Sequence, residues 1–166
     1  EQGGALAELT AEAAFDHCVK ARLTGLSAAT TYYYRFIYST KDACFASRTG
    51  RTRTAPADDA DVPVRFAFVS CQDYIGRYYN NYQMLAKEEL DFFIHLGDYI
   101  YETTGDPSFQ SQAGDRVVEF GDTAGAIELT SNGGDTYYAA KSLDNYRDLY
   151  RTYRSDPMLQ AVHEAI

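Results

Sequence analysis

The sequence predicts a mixed α+β chain in two parts. Residues 1–55 read as β, residues 56–63 as a linker, and residues 64–166 as α/β. Three observations carry this. The first part alternates apolar and polar residues and then runs through β-branched and aromatic ones. A Pro- and Asp-rich stretch interrupts the chain, and a strand–helix–strand pattern follows it.

In the first part, Phe15, Val19, Ala21 and Leu23 alternate with Asp16, Cys18, Lys20 and Arg22, the pattern of a half-buried strand. After the turn-like Gly25-Leu26-Ser27, the run Thr30 to Tyr38 is rich in Thr, Tyr and Phe and reads as a second strand. Lys41-Asp42-Ala43 is a hairpin turn, and Phe45 to Thr54 returns as an edge strand carrying Arg48, Arg51 and Arg53. Leucines before a turn and a Tyr at the start of the next strand resemble the tyrosine corner of immunoglobulin-like sandwiches, with Tyr32 at the corner. The tyrosine cluster has a second reading, as a stacking platform for sugars or bases, but strand tyrosines mostly pack.

Ala55 to Pro63 is short of bulky apolar groups, contains Asp58, Asp59 and Asp61, and has Pro at both ends. This is linker composition. Its aspartates match no Ca²⁺-binding loop and read as solvated charge.

Val64 to Val69 is nearly continuously apolar, as a strand buried on both faces should be. Tyr79, Tyr82, Leu85, Ala86 and Leu90 recur at helical spacing, and Asp91 to Leu96 is a second buried strand. The unit predicts a parallel pair. Residues 103–138 read as a long glycine-punctuated loop, with a short strand at Val117 to Phe120. Leu143, Tyr146, Leu149, Tyr150 and Tyr153 form a stripe behind the N-cap Ser142, and Ser155-Asp156-Pro157 restarts a helix.

Composition narrows function. The chain has 166 residues, 45% hydrophobic and 23% charged, which excludes wholesale disorder. No apolar run approaches the roughly 20 residues of a membrane span. No basic segment followed by an apolar one marks an export signal within these residues. Acidic side chains number 24 against 15 basic, a net charge of −9, so a nucleic-acid partner starts at a disadvantage. The three cysteines, Cys18, Cys44 and Cys71, leave at least one unpaired and do not choose a compartment. Fifteen tyrosines stand against no tryptophan.

Ligands of open α/β sheets gather at the carboxyl ends of strands. Here the first strand runs into Ser70-Cys71-Gln72 and the second into Gly97-Asp98-Tyr99-Ile100-Tyr101-Glu102. Parallel pairing sets these ends side by side and gathers Cys71, Asp98 and Tyr101. A thiolate, a carboxylate and a phenolate repel one another unless a cation intervenes, and a metal ion favours all three deprotonated forms. Phenolate suits a high-charge ion such as ferric iron, and the two oxygens of Asp98 could bridge two ions. Gln72, His95 and Glu102 are the candidates for support around the cluster. Each residue also has a plainer reading: a small buried thiol, a turn aspartate, a core histidine.

Phe68-Val69-Ser70-Cys71-Gln72 followed by Asp91-Phe92-Phe93-Ile94-His95-Leu96-Gly97-Asp98-Tyr99-Ile100-Tyr101-Glu102 closely resembles the PhoD-like alkaline phosphatase/phosphodiesterase family. Gly50 to Pro56 is similar to the end of that family's N-terminal fibronectin type III-like domain. Leu143 to Arg147 and Tyr153 to Gln160 are similar to its helices after the first metal loops. The resemblance implies a truncated immunoglobulin-like β-sandwich followed by the first βαβ part of a calcineurin-like metallophosphatase sandwich. It implies Cys71 and Tyr101 as ligands to Fe³⁺, and Asp98 as the carboxylate between Fe³⁺ and Ca²⁺. It further implies hydrolysis of phosphate mono- or diesters outside the cytoplasm. Purple acid phosphatases share the Gly-Asp-x-x-Tyr arrangement but use Asp where this chain has Cys71. The family's Asp-Asp-His-Glu motif and later ligands are not in these residues, so the expectation is an internal fragment, inactive alone. A non-catalytic module with a partial metal site is the reading from a different class.

Overall fold

The computed structural model describes residues 7–111 and 115–166. It is a mixed α/β structure built on four two-stranded sheets and three α-helices among the described residues. In the first part, β1 (Thr31–Tyr34) pairs antiparallel with β4 (Gly50–Arg53), and β2 (Ile37–Ser39) with β3 (Cys44–Ala46). The hairpin turn falls where the sequence puts it. Thr40 closes it through N–H to the Ala43 carbonyl (2.8 Å), and its Oγ1 accepts from the Ala43 N–H (3.0 Å).

Three expectations for this part need correction. The strand expected over Thr30 to Tyr38 is split at Arg35-Phe36, because the Ser47 hydroxyl takes the Phe36 N–H (2.9 Å) that a ladder carbonyl would have taken. For the same reason the returning strand is two pieces, β3 and β4. Phe15 to Leu23 forms no strand: a 3₁₀ turn covers Ala13–Phe15, and Asp16 and His17 both turn left-handed, at φ 52° and 56°. Two such residues in succession redirect the chain, so its alternating side chains meet no sheet, and Phe15 is 66% exposed. Tyr32 does make the contact of a tyrosine corner, accepting the Ser27 N–H at 2.9 Å. Opposite Tyr34 the register places Gly50, where a Cβ would stand 2.5 Å from the end of the Tyr34 ring and would push it aside.

In the second part, β5 (Phe66–Val69) and β6 (Phe92–His95) are parallel, Val69 opposite His95. They are not buried on both faces. Ala67, Val69, Phe93 and His95 are half-buried, whereas Phe66, Phe68, Phe92 and Ile94 are exposed. The rings of Phe66 and Phe92 stack with centroids 5.5 Å apart on that open face.

Helix α1 (Asn80–Leu85) is shorter than the apolar stripe, because after Ala86 the Lys87 and Glu88 N–H groups bond to carbonyls only three residues back. Within the expected long loop lies an antiparallel hairpin, β7 (Ile127–Thr130) with β8 (Thr136–Ala139). Val117 to Phe120 forms no strand; Val118 and Phe120 instead enter the core from an unpaired segment.

Helix α2 (Leu143–Arg154) starts at a capping box. Ser142 Oγ accepts the Asn145 N–H, and Asn145 Oδ1 accepts the Ser142 N–H, both at 3.2 Å. Helix α3 (Pro157–Ala165) is capped by Asp156, whose Oδ1 accepts from the Met158 and Leu159 N–H groups. The other oxygen of Asp156 pairs with Arg116 Nη1 at 2.6 Å, both side chains buried. Ile75, Leu149, Tyr153, Leu159 and Val162 form the centre of the core, next to the strand ends.

Candidate metal centre

The parallel ladder continues past the ends of β5 and β6. Leu96 N–H donates to Val69 O (2.8 Å), Cys71 N–H to Gly97 O (3.1 Å) and Gln72 N–H to Asp98 O (3.1 Å). The two loops therefore run in register, and Cys71 and Asp98 face each other. Both are left-handed, at φ 60° and 54°, a conformation that costs a non-glycine residue on the order of 1 kcal/mol. Such strain survives only where the surroundings over-determine it, and it clusters at functional sites.

Cys71 Sγ lies 3.6 Å from Asp98 Oδ2, and the Tyr101 hydroxyl donates to the same oxygen at 3.3 Å. The strand ends thus bring all three residues together. Burial, then hydrogen bonding to Cys71 and the charges of Cys71 and Asp98, push the Tyr101 phenol up to about 12. No ion pair is made by Asp98 among the described residues. Without a cation the phenol keeps its proton; a cation between the three donors would reverse the shift. Beside them opens a cleft of about 490 Å³ lined by residues 97–102 and Tyr150. Among the described residues no three His, Cys, Asp or Glu side chains are close enough to share a metal ion, so the set here is two such residues and a phenol.

The three support candidates diverge. Gln72 is buried and ties the loops together, Nε2 donating to Tyr99 O at 2.8 Å. His95 stays behind the cluster. Its Nδ1 accepts the Gly97 N–H (3.4 Å), its ring meets Tyr99 edge-on at 5.0 Å, and burial holds its pKa below the ordinary value against the pull of Asp98. Its Nε2 is buried without a hydrogen-bond partner. The Glu102 side chain is exposed, and its carbonyl takes the Ala140 N–H at 2.7 Å, anchoring the loop to the end of β8.

The sequence reading gave three tyrosines only packing roles that they exceed here. Tyr79 and Tyr82 donate to Gln72, and the hydroxyl of Tyr153, wholly buried, accepts the Tyr101 N–H at 3.2 Å. The signal was present: a tyrosine in an apolar stripe must find a partner for its hydroxyl, where leucine needs none.

A mixed α/β chain with this arrangement matches the solved "Structure of PhoD" with a TM-score of 0.67 and 37% identity, over 93% of this chain and 26% of that one. Alkaline phosphatase D of Bacillus subtilis (strain 168) is 39% identical over 150 residues, which are 90% of this chain and 22% of the relative. The profile described as PhoD-like phosphatase matches residues 66–166, and that of the PhoD-like phosphatase N-terminal domain matches residues 4–56. The chain belongs to the PhoD-like phosphatase family. It spans about a quarter of the length of the relatives it matches.

Proposed function

We propose that the full-length protein containing these residues is a metal-dependent hydrolase of phosphate mono- or diesters, with Cys71, Asp98 and Tyr101 among its metal ligands. The observation that carries this reading is the convergence of three acidic donors on one point, at paired strand ends, in a chain of a phosphatase family. The donor set fits the ions inferred. Thiolate and phenolate suit Fe³⁺, and a carboxylate with a free second oxygen suits Ca²⁺ beside it. When bound, the ions supply Lewis-acid charge for the phosphoryl oxygens and acidify water. The residues themselves fix where that charge sits. Asp98 presents Oδ2 toward Cys71 and Tyr101, and the left-handed turns at Cys71 and Asp98 aim both side chains to one side of the ladder. Gln72, His95 and Glu102 act on the loops that carry the ligands. An N-terminal β domain of fibronectin type III type and a calcineurin-like sandwich around β5 and β6 belong to the same reading. So does an extracytoplasmic location, which the resemblance to the family supplies.

One observation favours a narrower role for these residues by themselves. With two His/Cys/Asp/Glu donors and one phenol, they would hold metal weakly and hydrolyse nothing alone. The test is hydrolysis of a phosphomonoester and a phosphodiester by the full-length protein, before and after chelation and with iron and calcium restored. Turnover is expected to disappear on chelation and to be absent in Cys71→Ala and Asp98→Ala. Turnover that survives in either variant overturns the assignment.

A further inference from the structure

We propose that Gln72, gripped by Tyr79 and Tyr82, is a positioning residue that sets the spacing of Cys71 and Asp98 and thereby the affinity of the site for its metal. The proposal rests on the reading of Cys71, Asp98 and Tyr101 as ligands.

Gln72 is only 5% exposed, and every polar group it has is engaged. Its N–H donates to Asp98 O at 3.1 Å, and its Nε2 donates to Tyr99 O at 2.8 Å. Both bonds cross from one ligand loop to the other. Its carbonyl accepts the Tyr79 hydroxyl at 3.0 Å, and its Oε1 accepts the Tyr82 hydroxyl at 2.6 Å. Both of those come from the start of α1, inside the core. One residue therefore joins the two loops and the helix: its main chain bonds Asp98 O and the Tyr79 hydroxyl, and its side chain bonds Tyr99 O and the Tyr82 hydroxyl.

Packing alone does not call for this. A buried amide costs free energy unless its donors and acceptors are all met, a cost that an apolar side chain with apolar neighbours would not carry. What the amide adds is direction. Cys71 and Asp98 each sit in a left-handed conformation that relaxes unless neighbouring bonds hold it. The only side chain whose hydrogen bonds cross between their two loops, apart from the ligands themselves, is Gln72 among the described residues. Burial raises the pKa of both Tyr79 and Tyr82, so the two phenols stay donors throughout the working range of pH. Groups that orient metal ligands in this way generally change metal affinity when removed.

Two variants separate the parts of the grip. Tyr82→Phe removes one hydroxyl and keeps the ring. Gln72→Glu keeps an acceptor for Tyr82 and loses the donor to Tyr99. In the full-length protein, ferric iron is titrated while its ligand-to-metal absorption is followed, and amide hydrogen exchange is read residue by residue without metal. Ferric affinity is expected to fall about 10–100-fold in each variant, with a shifted absorption maximum. The amides of Cys71 and Gln72 should exchange about fivefold faster while those of Leu149 and Leu159 keep their rates. Unchanged ferric affinity and absorption in both variants overturns the role of Gln72, as does a uniform acceleration of all amides. Failure of the unaltered protein to bind ferric iron overturns the metal reading itself, a different and separately visible result.

Discussion

In the β pairs of residues 31–53, Tyr33, Ile37, Tyr38 and Phe45 are all more than half exposed, whereas every buried hydrophobic side chain among the described residues lies between Tyr74 and Val162. The two regions are held by different physics. The first has backbone ladders and a polar attachment to the second. Arg48 meets Glu164 at 2.7 Å, Arg53 pairs with Asp91, and Arg51 Nη1 reaches the carbonyls of Leu90 and Ala165 at 3.3 and 3.4 Å. The second has a core whose tyrosines Tyr79, Tyr82 and Tyr153 reach forward to the loops after β5 and β6. Site geometry therefore depends on the core behind it and hardly at all on the exposed β pairs.

The comparison is open to breakage at its strongest joint. Arg116 links Asp156, at the start of α3, to the Arg77 carbonyl (2.7 Å), and its guanidinium lies 3.8 Å over the Tyr74 ring. Arg116→Ala leaves Asp156 Oδ2 buried without its partner and should cost about 3–5 kcal/mol, read from denaturant unfolding. A loss below about 1 kcal/mol would mean that this region does not hold the second part together.

A smaller effect comes from pH. Burial first, then the charges of Arg154 and His95, lower the pKa of His163 below its ordinary 6.5. The native state thus releases this proton more readily than the unfolded chain. Its contribution to stability is whole above the ordinary value, falls as pH drops toward the lowered value, and is gone below it. His95 is shifted the same way and adds to the slope. Unfolding midpoints measured as pH falls from 7 through the histidine range should decline, and His163→Gln should flatten the decline. A midpoint that rises on acidification contradicts the arrangement.

The smallest effect is expected in the first part. Arg48→Ala removes a pair whose arginine is 54% exposed and should change stability by about 0.2–1 kcal/mol, less as salt is added. A salt-insensitive loss above about 2 kcal/mol would show that the β pairs carry the core after all.

What the sequence made legible follows the same division. Parallel pairing of β5 and β6, and with it the meeting of Cys71, Asp98 and Tyr101, could be read because strand ends gather ligands and each strand has a clear apolar run. The Ser142 cap and the restart at Asp156-Pro157 are local signals and appear where they were read. The strand at Phe15 to Leu23 failed because alternation specifies a face only when another surface covers it. The β7–β8 hairpin was hidden by the glycines around it, although Asn132-Gly133-Gly134 is itself a turn signal. Gln72 was visible as a neighbour of Cys71. Its grip by Tyr79 and Tyr82 was not, because periodicity tells which side of a helix is buried and nothing about where a buried hydroxyl points.

Iron content tests the central claim most directly. It should be measured by elemental analysis on the full-length protein and on its Cys71→Ala and Asp98→Ala variants, alongside phosphate-ester turnover. The account predicts stoichiometric iron in the unaltered protein, and loss of iron and turnover together in both variants. An unaltered protein that turns over phosphate esters without iron, or a variant that keeps its iron, would contradict it.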